Sequence, residues 1–305
     1  MKKIIKTMKC HSIKGTFLTV LLVYLFAPGI AVADRCADNG QGDWACSHNS
    51  KVHYYWCNGY LVGRAVRWQI PEGTPPPGGW PVAFYYAGTQ YNTSSHAFAR
   101  DADEVLGLVY ETRMIHELLD DPMASGKQYA VFVPDPPATS GYMQYWHTNV
   151  VYPYSASCDY DFFNDFFDDI ENNQYGSSSL YNMDQRYAYG LSSGGYNTSR
   201  MAVTFNSGSM ADVWQSLAVI AASYATCAGW QCTVPNALPA NHPPTKFWHG
   251  SQDSVVPIST MREYYDELVE DGFTTEKLEG VYDHELTSDV IGSFGVKAWF
   301  DQFWP

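Results

Sequence analysis

The hexapeptide Gly190-Leu191-Ser192-Ser193-Gly194-Gly195 constrains the fold more tightly than any other stretch of this chain. It follows a run at 187–191 that predicts a buried strand, and it precedes a segment at 197–205 whose apolar spacing predicts a helix. A chain that passes from strand to helix in so few residues folds back against itself, so the positions flanking the turn must lack a side chain. The same turn lifts the Ser192 hydroxyl above the strand end. The helix behind it aims free N–H groups at any oxygen that reacts there. A glycine-rich loop after a strand is the bland alternative, and the strand–turn–helix setting argues against it.

The flanking sequence alternates in the way such a turn requires. Strands are predicted at 61–70, 82–87, 129–133, 217–222, 246–249 and 276–280. Helical spacing appears at 100–119, 159–171, 259–270 and 289–303. In the second of these, Phe162, Phe163, Phe166, Phe167 and Ile170 share one face. Strands alternating with helices indicate an α/β fold with a mostly parallel sheet. No internal repeat, linker or second composition zone interrupts the pattern, so a single domain is expected.

A serine hydroxyl is a poor nucleophile at neutral pH and needs a base, with a carboxylate to orient it. On a fold of this kind the chain order is serine, acid, histidine. Three histidines follow Ser192. His284 lies past the last predicted strand, where a catalytic loop belongs. His249 reads as a packed residue at a strand end, and His242, in a proline-rich loop, as a surface residue. Asp253 follows the strand at 246–249 and is placed to reach His284. Asp283 is adjacent to His284 and would point elsewhere, while Asp271 and Asp289 read as solvated helix-end charges. An oxyanion needs two backbone N–H groups. One is expected from Ser193. The other is expected from the loop Ala87-Gly88-Thr89-Gln90, with Thr89 first and Gly88 or Gln90 as alternatives.

Residues 190–202 (GLSSGGYNTSRMA), with Asp-Tyr-Asp-Phe-Phe at 159–163 before them and Asp253 and His284 after, resemble secreted α/β-hydrolase polyester depolymerases. The resemblance is to the extracellular polyhydroxyalkanoate depolymerases of the medium-chain-length type. It implies an α/β-hydrolase fold, a mostly parallel central sheet with helices on both faces. It also implies Ser192 as nucleophile, His284 as base, Asp253 as orienting acid, and no separate substrate-binding domain. The chain is then read as a leader at 1–33, a cysteine-rich segment at 34–60 packed on the catalytic domain, and the catalytic domain at 61–305.

Composition narrows the partners. With 18 Lys+Arg against 32 Asp+Glu the chain carries −14. Neither nucleic acid nor an anionic membrane surface suits that balance. Aromatics reach 16%, with 10 Trp and 23 Tyr, more than core packing requires. Tyr91, Tyr142, Tyr145, Trp146, Tyr152 and Tyr154 cluster near two loops, and for any one of them core packing is the competing explanation. Gln90, Tyr91, Tyr145 and Trp146 are the expected substrate contacts. The expected activity is an exported serine esterase acting on a polyester. Another secreted acyl hydrolase, such as a feruloyl or acetyl esterase, a hydrolase of oxidised poly(vinyl alcohol) or a peptidase, is the alternative. No metal or organic cofactor is implied, and a monomer is expected.

Residues 1–33 read as a secretory signal. Lys2, Lys3, Lys6, Lys9 and Lys14 precede an apolar run at 17–27, and Ala31-Val32-Ala33 forms a cleavage site before Asp34. The apolar run is too short to cross a bilayer core of about 30 Å. Loss of the five lysines deepens the charge from −14 to −19. Six cysteines then remain, Cys36, Cys46, Cys57, Cys158, Cys227 and Cys232, an even count that suits disulfides in an oxidising compartment. Cys227 and Cys232 are the easiest to join, and one of the first three is expected to reach Cys158.

Overall fold

Apolar runs of five to seven residues, buried on both faces, become the middle of one eight-stranded sheet. Its strands are β1 (Asn49–Cys57), β2 (Tyr60–Gln69), β3 (Trp80–Tyr86), β4 (Ala130–Pro134), β5 (Tyr181–Leu191), β6 (Trp214–Ile220), β7 (Thr245–Gly250) and β8 (Thr275–Gly280). The spatial order is β1-β2-β4-β3-β5-β6-β7-β8. From β4 to β8 every pairing is parallel, and β2 joins β4, and β1 joins β2, antiparallel. This computed structural model describes residues 34–91, 95–137, 143–148 and 153–304. The segment 1–33, expected to be a leader, lies outside them.

Side chains alternate between sheet faces, and the core divides accordingly. Ala83, Tyr85, Val131, Tyr187, Tyr189 and Ala218 pack under helices α1 (Val109–Asp120) and, later in the chain, α5 (Val296–Phe300). Val82, Phe84, Ala130, Phe132, Ala188 and Leu217 face α2 (Cys158–Glu171) and α3 (Ser193–Val203). Val219 and Phe247 continue that layer under α4 (Ile258–Glu270). The five α2 residues read from sequence as one apolar face are all buried there. Helices thus cover both faces of the sheet, the α/β-hydrolase arrangement.

Three local expectations fail for physical reasons. The helix expected from residue 100 starts at Val109, because Leu106 and Gly107 adopt left-handed backbone (φ 63° and 64°). The final helix expected over 289–303 is broken. Ile291 is extended (φ −124°, ψ 170°), and 3₁₀ turns at Ser288–Val290, Gly292–Phe294 and Asp301–Phe303 leave only α5 as α-helix. Residues 49–57, read only as part of a cysteine-rich segment, form the outer strand β1, paired with β2 through the turn at Asn58 and Gly59.

The six cysteines among the described residues are paired: Cys36 with Cys46, Cys57 with Cys158, and Cys227 with Cys232. The first clamps a small sheet formed by Cys36–Asp38, Trp44–Cys46 and Ala99–Arg100. The second ties the end of β1 to the first residue of α2. No helix among the described residues is long and apolar enough to cross a membrane.

Candidate active site

Ser192 sits between the last residue of β5 and the first of α3. Its backbone holds φ 53° and ψ −120°, a conformation that costs of order 1–3 kcal/mol in a non-glycine residue. Neighbouring contacts impose it. The Ser192 N–H donates to Ile220 O at 2.8 Å, and Ser192 O accepts from Tyr196 N at 3.1 Å. A Cβ on Gly194 would strike the Tyr86 carbonyl at the end of β3, and one on Gly190 would strike the Gly194 carbonyl. Both positions therefore require glycine, as the turn chemistry anticipated.

The hydroxyl faces an imidazole. His284 Nε2 lies 2.9 Å from Ser192 Oγ, and His284 Nδ1 lies 2.8 Å from Asp253 Oδ2. A carboxylate only accepts, so Nδ1 carries the ring proton and Nε2 accepts from the serine hydroxyl. Asp253 is fully sequestered at its side chain. Its Oδ1 accepts from Val255 N at 2.9 Å and Val256 N at 2.7 Å. Burial by itself would raise the Asp253 pKa. Hydrogen bonds from His249, His284 and the Val256 N–H outweigh burial and hold the carboxyl well below the ordinary carboxylate range. Asp283 indeed points away from the imidazole. It accepts from Ser254 N and Ser254 Oγ at 2.8 and 2.9 Å and from its neighbour His284 N at 2.8 Å, which ties the histidine loop to the acid loop.

The loop after β3 runs beside Ser192. A Cβ on Gly88 would stand 3.2 Å from Leu191 O and 3.4 Å from Ser192 Cβ. Thr89 and Ser193 line an open cleft of about 180 Å³ together with Ser192. Trp146 pins this corner: its indole N–H donates to Ala87 O at 2.9 Å, and its backbone N–H donates to Ser193 Oγ at 2.9 Å.

The residues expected to touch substrate divide. Tyr145 is half-buried and lines the cleft, its ring against His147. Trp146 borders the same cleft but is only 1% exposed, with its ring packed on Tyr86 and Phe163. Gln90 is engaged with Gln144 at 3.3 Å across a short pairing of Gln90–Tyr91 with Met143–Gln144. Tyr91 contributes its backbone to that pairing. Tyr142 and Tyr152 lie outside the described residues, and Tyr154 is buried beneath the Arg200 guanidinium.

Two histidine expectations have different outcomes. His249 is packed at the end of β7, fully buried. His242 is not a surface residue: it is 4% exposed, its Nε2 accepts from Tyr264 OH at 2.6 Å, and its Nδ1 donates to Pro243 O at 2.9 Å. The proline-rich composition hid an apolar pocket formed by α4 and Phe273. The opposite cleft wall was also missed. It comprises Tyr196, Ala228, Gly229, Val255 and Val256. The short Cys227–Cys232 bridge was its one sequence signal, since it folds Ala228 back on Gln231 through two backbone hydrogen bonds.

Among the described residues one group offers metal-type donors within 4.8 Å of one another: His53 on β1 with Asp165 and Asp169 on α2. The Lys51 ammonium interacts with the same two carboxylates, so charge pairing already accounts for the cluster.

Comparison with known proteins follows the same line. No family model matches the chain. A poly(3-hydroxyoctanoate) depolymerase of Pseudomonas fluorescens is 37% identical over 292 residues, covering 92% of this chain and 96% of that protein. Among solved structures, a Bacillus cereus carboxylesterase superimposes with a TM-score of 0.51 at 10% identity, over 79% of this chain and 95% of its own. An α/β-hydrolase enzyme from a Medee basin deep-sea metagenome library gives 0.51 at 15% identity, over 83% and 94%. At these identities the two structures speak for the fold.

Proposed function

Because the chain belongs to the family of the poly(3-hydroxyoctanoate) depolymerases and is a carboxylic ester hydrolase, we propose that it is an exported serine esterase that cleaves a medium-chain polyhydroxyalkanoate. The observation that carries this reading is the unbroken relay from Ser192 Oγ through His284 to Asp253, with links of 2.9 and 2.8 Å. In the proposed reaction His284 Nε2 takes the Ser192 proton as Oγ attacks the ester carbonyl. The carbonyl electron pair moves onto its oxygen, which the N–H groups of Ser193 and Thr89 receive. Collapse expels the polymer alkoxide, which takes the proton from His284 and leaves an acyl group on Ser192. Water, deprotonated by the same imidazole, then releases the acid and restores the serine.

Three features support the substrate and the compartment. The cleft is shallow and open, as a chain threading across it requires, and Tyr145, Tyr196 and Val255 give it apolar walls. The pairing of all six cysteines past residue 33 fits an oxidising compartment, and residues 1–33 are the proposed export signal. The net negative charge fits a neutral polymer better than an anionic one.

The test is a clearing assay on suspensions of polyhydroxyoctanoate, polyhydroxybutyrate, an aromatic polyester and oxidised poly(vinyl alcohol), run with wild type and Ser192→Ala. Clearing of polyhydroxyoctanoate alone, abolished in Ser192→Ala, is the expected result. Turnover of a p-nitrophenyl ester retained by Ser192→Ala would overturn the nucleophile assignment. Clearing of another polymer in preference would overturn the substrate.

A further inference from the structure

We propose that His249, which takes no part in the reaction just described, is a positioning residue that locks the Asp253 carboxylate in the orientation His284 needs. The inference rests on the Ser192–His284–Asp253 reading and extends it by one residue.

His249 is the next-to-last residue of β7 and is fully buried, as is the Asp253 side chain. Its Nε2 lies 2.8 Å from Val256 O. A carbonyl oxygen only accepts, so Nε2 carries the ring proton. That N–H also faces Asp253 Oδ2 at 3.3 Å, the same oxygen that holds His284. The other nitrogen, Nδ1, is buried without a hydrogen-bond partner among the described residues. The ring therefore acts through its Nε2–H, one donor shared between Val256 O and Asp253 Oδ2.

The contacts close a ring. His249 donates to Val256 O, Val256 N donates to Asp253 Oδ1 at 2.7 Å, and Asp253 Oδ2 returns to His249. The backbone of Val256 is therefore held at both its N–H and its C=O, and each carboxylate oxygen is fixed from the protein side. One direction on Oδ2 remains, and His284 Nδ1 fills it. Without His249 the Val256 carbonyl is left buried and unpaired, and the carboxylate gains freedom to turn away from His284. A hydroxyl whose base is misaimed by about an ångström loses on the order of a hundredfold in rate.

The test is a double-mutant cycle on the full chain with p-nitrophenyl octanoate. His249→Leu is expected to lower kcat roughly 10- to 100-fold with KM within about twofold. His249→Gln, whose amide nitrogen reaches the position of Nε2, is expected to keep kcat within about threefold. In an Asp253→Asn background His249→Leu is expected to cost less than about twofold, because the group it positions is already lost. If His249→Leu does not fold, His249→Asn takes its place, since its amide is too short to reach Val256 O. A Leu or Asn variant with wild-type kcat, a Gln variant no better than Leu, or a loss that adds in full to that of Asp253→Asn would each overturn the proposal. Ser192→Ala separates the two levels. If it remains active, the serine-esterase reading fails. If it is inactive while His249→Leu is fully active, only the role of His249 fails.

Discussion

Arg64 offers the most informative perturbation outside the relay. It projects from β2, 2% exposed at its side chain, and its Nη2 donates to Asp159 Oδ1 and Tyr55 OH, both at 2.8 Å. Its guanidinium lies 4.1 Å from the Phe162 ring centre and 5.5 Å from that of Trp146. Asp159, fully buried on α2, accepts from His147 N at 2.5 Å with its second oxygen. The adjacent Trp146 N–H then holds Ser193 Oγ. A charge pair on β2 and α2 thus anchors the strip of chain beside Ser192 and Ser193. Arg64→Met fills the same space but leaves the Asp159 carboxylate buried and unpaired, a change that costs about 3–5 kcal/mol. At roughly 2–4 °C per kcal/mol for a chain of this size, the melting temperature should fall by about 10 °C. Measured well below the new transition, kcat/KM on p-nitrophenyl octanoate should drop between about tenfold and a hundredfold, because the backbone around Ser193 is no longer fixed. Arg64→Met combined with Asp159→Asn removes the stranded charge yet keeps an acceptor for His147 N, so most of the stability should return. Urea unfolding followed by tryptophan fluorescence gives both free energies. A single variant that loses less than about 1 kcal/mol, or a double variant no more stable than the single one, would refute the reasoning.

Other perturbations probe separate links. Gly194→Ala should abolish ester hydrolysis and destabilise the chain by more than about 2 kcal/mol, since its methyl group meets the Tyr86 carbonyl rather than a flexible side chain; near-normal turnover would contradict the elbow packing. Burial lowers the His242 pKa to about 4, so its neutral form stabilises the fold at pH 7 and that contribution fades as pH falls from the ordinary imidazole range towards 4. The loss amounts to about 3 kcal/mol, and His242→Phe should show a correspondingly shallower decline in unfolding free energy between pH 7 and pH 4; identical slopes would exclude it. Cys57→Ser with Cys158→Ser opens a loop with a sequence separation of 101 and should cost about 2–5 kcal/mol, read as a lower melting temperature under non-reducing conditions.

What the sequence reveals about this chain depends on how local each feature is. The elbow is legible because its constraint is local: Gly190 and Gly194 are needed by the backbone around Ser192 and stand within a few residues of it. The central strands are legible because burial on both faces writes continuous apolar runs, and α2 because its five apolar residues recur at helical spacing. β1 escapes because an edge strand needs burial on one side only. Val52, Tyr54 and Trp56 alternate outward while His53, Tyr55 and Cys57 turn in, and the cysteines and the histidine obscure that period of two. Trp146 reads as a substrate ring and borders the cleft, but nothing local announces that it also clips Ala87 and Ser193. His249 reads correctly as packed, but a sequence cannot show that what it packs against is Asp253.

The relay itself is a product of sheet register, which explains why residues 61 and 92 positions beyond Ser192 arrive at its hydroxyl. The ladder does not stop at the strand ends. Ser192 N donates to Ile220 O, Ala221 N to Trp248 O, Ser251 N to Gly280 O, and Gln252 N to Tyr282 O, at 2.7–3.1 Å. Each bond ties the loop leaving one strand to the next strand or to the loop beyond it. Ser192 is thereby stepped across β6 to β7, and the loop after β7 that carries Asp253 is fastened to the segment that carries His284 two residues past Tyr282. Parallel strands put all these loops at the same edge of the sheet, and the successive backbone bonds fix their relative height. A change that slips β6 against β5 by one residue would therefore part Ser192 from His284 even though neither had been touched. Stability of the central sheet and precision of the site are here the same property.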